Sequence, residues 1–144
     1  MDIRNLLNKT NIEKYKKACE ECGLILESEN DDEIRYGIRL DKRTQVWLNN
    51  QTLTDTIDVI TMLNISDINN LKKIPIVVWV DFFLDSNNEP CEHRPGPRKY
   101  FLFSELDSFK EEILNIMDCY YLYVKKCKLE ENEKRKESIK MLFM

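Results

Sequence analysis

Four side chains of this sequence have the chemistry of a zinc site: Cys19 and Cys22, spaced as C-x-x-C, and Cys91 with His93. Three thiolates and an imidazole suit tetrahedral zinc. The spacing argues against it. Cys19 and Cys22 fall on the apolar face of a helix, beside Ile12 and Tyr15, where a thiol packs as a small hydrophobe. Cys91 and His93 stand two apart, so in an extended segment they point to opposite sides. The expectation is buried thiols and no metal; a zinc-stabilised domain using Cys19, Cys22, Cys91 and His93 is the alternative.

The segment DSNNEP at 85–90 sets Asp85, Asn87 and Glu89 at alternate positions, as a calcium loop begins. Such a loop needs glycine at its sixth position and glutamate at its twelfth; here those are Pro90 and Pro97, so a solvated turn is expected. For nucleophilic catalysis His93 is the only imidazole, and nothing nearby orients it. Asp81 and Asp85 would stand about 13 Å apart along a strand, too far for a two-carboxylate hydrolase. Glycines only at 23, 37 and 96 build no phosphate loop. No catalytic residue and no cofactor is expected.

Two features remain. Asp81 is an acid in the otherwise apolar run IPIVVWVDFFL, read either as an anchor for a partner's basic group or as a strand-end residue that is solvent-exposed or paired with Arg98 or Lys99. The stretch EPCEHRPGPRKY at 89–100 carries the only histidine, three of the four prolines, and Arg94, Arg98, Lys99 and Tyr100. Its prolines stiffen it, which suits an exposed recognition loop. The Arg94, Arg98 and Lys99 cluster could also contact nucleic acid. With 26 acids, 22 bases and a net charge of −4, the chain lacks the basic face such binding uses, so nucleic acid is not expected as the partner.

The elements that must position these residues follow from periodicity. Residues 11–22 read as an amphipathic helix capped by Thr10 or Asn11 and ended at Gly23. Leu24-Ile25-Leu26, EIRYGIRL at 33–40 and TQVWL at 44–48 read as a meander of strands. Residues 52–63 return to helical spacing through Leu53, Ile57, Ile60 and Leu63. Residues 74–84 read as one central strand, and 100–103 as its hairpin partner. Ser104 and Asp107 resemble a capping box opening the longest helix, whose seam runs from Leu106 to Cys127. The expected fold is therefore a single α+β domain over 1–129, ordered α-β-β-β-α-β-β-α. Its mostly antiparallel sheet has about five strands packed against helices. Residues 130–144 form a charged helical extension or tail.

No apolar run approaches the ~20 residues of a membrane span. The polar N-terminus and five cysteines, an odd number, fit a reducing, cytoplasmic setting. These exclusions leave a non-enzymatic protein-interaction domain: a stoichiometric inhibitor or adaptor, of the toxin-immunity or phage anti-defence type. Expected contact residues are Glu92, His93, Arg94, Arg98, Lys99, Tyr100 and, on the long helix, Tyr121. Apolar residues surround most of the circumference of 113–124, which calls for cover by the chain's own helices or by another protein, either a second copy in a homodimer or a different partner.

Overall fold

The computed structural model describes residues 7–40, 57–65 and 75–143. Helix α1 spans Lys9–Glu21. Strands β1 (Ile25–Glu29), β2 (Glu33–Arg39), β3 (Ile57–Asn64) and β4 (Ile76–Trp79) follow. Next come β5 (Phe82–Leu84), β6 (Pro90–Glu92) and β7 (Arg98–Phe101), then a 3-10 turn at Phe103–Glu105 and the long helix α2, Leu106–Leu142. The five-stranded sheet has the order β1-β2-β3-β4-β7, and every pairing is antiparallel. Strands β5 and β6 form a separate two-stranded ribbon. The α+β class, the five-stranded antiparallel sheet and the long C-terminal helix all stand as the sequence indicates.

Local chemistry explains the element ends. Asn8, earlier than the expected Thr10 or Asn11, caps α1: its Oδ1 accepts the amide of Asn11 at 2.9 Å. Gly23, at φ +87°, supplies the left-handed residue that ends the helix. At the start of α2 the Glu105 carboxylate accepts the amide of Leu102 at 2.9 Å.

One expected element changes identity. Residues 57–64 form a strand, not a helix. Tyr36 pairs with Thr61 and Gly37 with Val59, so Ile60 is the extra residue of a β-bulge. The bulge resets the alternation. Asp58 and Ile60 face inward, then Thr61 and Leu63, and this step of three imitates a helical period. The expected strand at 44–48 lies outside the described residues, as do positions 52–56 of the expected helix. The run 74–84 also divides: it leaves the main sheet after Trp79 and resumes at Phe82 in the small ribbon.

The core lies between one sheet face and the helices. Tyr15 of α1, Tyr36 of β2 and Phe109 of α2 pack ring on ring, with centroids 5.9 Å and 5.6 Å apart. Phe109 also meets Phe101 of β7 at 5.8 Å. The Thr61 hydroxyl donates to the Val77 carbonyl at 2.8 Å, so the buried Tyr15 hydroxyl, 3.2 Å away, donates to Thr61. Burial pushes the Tyr15 phenol well above its ordinary pKa, keeping it a neutral donor. Phe109, Ile113 and Ile116 are fully buried along the α2 seam, each contributing about 1.5–3 kcal/mol of burial. Past Glu131 the helix continues with every residue exposed as far as Phe143. No helix among the described residues is long and apolar enough to cross a membrane.

Candidate functional site

Where the main sheet hands over to the β5–β6 ribbon, the chain breaks at Val80 and Asp81, and the 93–97 segment folds back onto that break. The Val80 amide donates to the Pro97 carbonyl at 2.8 Å, and the His93 amide donates to the Asp81 carbonyl at 2.9 Å. The Asp81 carboxylate accepts the Gly96 amide at 2.9 Å. The Arg94–Pro95 peptide is cis. Gly96 is required by space: a Cβ there would stand 2.0 Å from the Val80 oxygen. Gly37, opposite the β3 bulge, is needed likewise, since its Cβ would come within 2.3 Å of the Asp58 oxygen. Two of the three glycines thus permit the close approaches that assemble this site.

At its centre lies Arg94. Its Nη1 donates to Asp58 Oδ1 at 2.8 Å and to Asp81 Oδ2 at 3.2 Å; its Nη2 donates to Asp58 Oδ2, and its Nε to Glu92. The guanidinium also stands 5.4 Å from the Phe82 ring centroid. The three acids come from β3, from the break after β4, and from β6, and their side chains are 3%, 8% and 0% exposed. A guanidinium fork is the one side chain that can satisfy several carboxylates in fixed directions.

The electrostatics are unbalanced. Three carboxylates face one guanidinium, so the cluster is acidic when all are ionised. Burial pushes the Asp81 carboxyl above its ordinary range; the Gly96 amide and Arg94 oppose this, while the Asp58 and Glu92 charges add to it. Burial pulls the Arg94 pKa down, but its bonds to Asp58 and the surrounding carboxylates outweigh that and hold it above its ordinary value. A cleft of about 630 Å³ opens beside the cluster, lined by Arg35, Val59, Trp79, Asp81, Glu92, His93, Arg94 and Pro95.

These placements revise the expectations for the 89–100 loop. Glu92 and Arg94 are not offered to solvent: Glu92 is buried, and Arg94 is spent on internal ion pairs. Asp81 pairs with Arg94, not with Arg98 or Lys99. Cross-strand partners share a face, so Arg98 (opposite Trp79) and Tyr100 (opposite Val77) lie on the outer face, with Arg98 5.9 Å from the Trp79 ring centroid. Lys99 turns to the helix side and bonds Glu112 at 2.8 Å. Arg94, Arg98 and Lys99 therefore form no single basic surface. Tyr121, 57% exposed, stands on the solvent side of α2, away from the sheet's outer face.

The zinc ligands do not converge either. Cys19 is buried beside Tyr15, and Cys22 faces the Lys110 carbonyl. Cys91 Sγ donates to Asp85 Oδ2 at 3.4 Å. No group of three or more potential ligands forms a metal site among the described residues. Asp85 instead holds a turn, accepting the amides of Asn87 at 2.8 Å and Glu89 at 3.0 Å. Those bonds hold its carboxyl below the ordinary range.

The sequence carried a signal for part of this site, since Asp81 stands out in its apolar run. Asp58 and the central role of Arg94 were missed, because the cluster joins segments 36 and 13 residues apart through side-chain directions that periodicity does not encode. Comparison with protein-family models, curated proteins and solved structures finds no match, so the functional reading rests on this geometry.

Proposed function

We propose that this protein is a non-enzymatic, cytoplasmic interaction domain. It acts as a stoichiometric inhibitor or adaptor of the toxin-immunity or phage anti-defence type, occluding a site on a partner protein. The observation that carries the reading is the mounting of the 93–100 segment. Main-chain bonds to Val80 and Asp81, with the buried Arg94 cluster beneath, fix its backbone before any partner arrives. His93, Arg98 and Tyr100 are exposed on that mount, with Trp79 beneath Arg98. Trp, Tyr and Arg are the side chains that dominate interface energetics, and a prefixed backbone lowers the ordering cost of binding. All five cysteines are free, as a reducing compartment keeps them.

The test is affinity capture from the native host with the wild-type chain and with an Arg98→Ala/Tyr100→Ala double variant, followed by titration of the protein recovered. The double variant should fold normally and bind at least about tenfold more weakly. Equal affinity of the two chains would remove this surface from the account.

A further inference from the structure

The solvent side of α2 carries a second pattern. Leu114, Tyr121, Leu122 and Leu129 are 49%, 57%, 46% and 57% exposed. At about 100° per residue they lie opposite the buried seam of Phe109, Ile113, Ile116 and Tyr120. Between them stand Asp118 and Lys125, both exposed. The order is symmetric about the midpoint between Tyr121 and Leu122. Positions equally far from that midpoint are Leu114 and Leu129, Asp118 and Lys125, and, further out, Asp107 and Lys136.

We propose that two copies of this chain pair through this face with their α2 helices antiparallel, the two-fold axis passing between Tyr121 and Leu122. Leucine then meets leucine and acid meets base, each contact made twice, as an isologous interface requires. A parallel pair would set Asp118 against Asp118 and Lys125 against Lys125, so charge alone selects the orientation. The contact from Asp107 to Lys136 runs about 45 Å at 1.5 Å per residue. It also gives the exposed turns beyond Glu131 a neighbour, the first turns of the partner helix. The face is separate from the cleft and from Arg98 and Tyr100, so pairing leaves them open.

Sedimentation equilibrium of the full chain tests this, with circular dichroism confirming the fold of each variant. The wild type should dimerise reversibly. Asp118→Lys and Lys125→Asp should each weaken the dimer at least about tenfold by placing like charges together twice, and the double swap should restore it. A wild-type chain that stays monomeric up to about 1 mM, near the weak limit of specific association, overturns the proposal and leaves this face to another protein. A dimer indifferent to both single swaps overturns it as well.

Discussion

Replacing Arg94 with methionine keeps an apolar stem against Phe82 but removes the charge and the fork. Asp58, Asp81 and Glu92 would remain in place, their side chains 8% exposed or less, with no cation between them. Removing one partner of a buried ion pair typically costs about 3–5 kcal/mol, and Arg94 is paired here with three carboxylates. A loss of at least about 4 kcal/mol is therefore expected, a large part of the 5–15 kcal/mol typical of a whole domain. Urea unfolding followed by circular dichroism measures it. The loss should also depend on pH. Without Arg94 the Asp81 carboxyl, already raised by burial, loses a charge that opposes the rise, so the stability it contributes is full below about pH 4 and falls as pH rises through its raised folded value. The deficit is then largest at neutral pH and shrinks on acidification. Adding Asp58→Asn and Glu92→Gln to Arg94→Met should recover part of the loss, because the three effects share one network. A loss below about 1 kcal/mol, or one that ignores pH, would show that Arg94 is a surface side chain and refute the reasoning.

Three further outcomes follow from the same contacts. Gly96→Ala should cost more than about 2 kcal/mol by thermal or urea unfolding, since its Cβ would meet the Val80 oxygen at 2.0 Å and part the Gly96–Asp81 bond. Asp81→Asn keeps the acceptor for Gly96 but removes a carboxyl whose folded pKa is raised. The wild type should therefore lose stability relative to this variant as pH climbs through that folded value, and a difference flat with pH would contradict the assignment. Arg98→Ala, on the outer face, should change stability by less than about 1 kcal/mol, in contrast to Arg94→Met.

Much of the fold is legible in the sequence where one physical signal dominates. The alternation Ile34, Tyr36, Ile38 marks β2 because one face of that strand is buried, and Gly23 marks the end of α1 because it adopts a left-handed conformation. The seam of α2 shows through spacings of three and four. Strand β3 is misread because its bulge at Ile60 breaks the period of two, although its β-branched composition favours a strand. The site is less legible still. An isolated acid in an apolar strand is a visible anomaly, but which cation answers it depends on where the strand breaks. The break at Val80 and Asp81 brings Arg94 inward and leaves Arg98 and Lys99 on opposite faces of β7.

The central claim is that the 93–97 segment is part of the folded frame and not a free loop. Amide hydrogen exchange of His93 and Gly96 tests it most directly, because both N–H groups are bonded to Asp81. In the wild type both should exchange slowly, at rates near those of core strand amides, and both should speed up by orders of magnitude in Arg94→Met. Fast exchange at these two amides in a wild-type protein whose core strands stay protected would contradict the account.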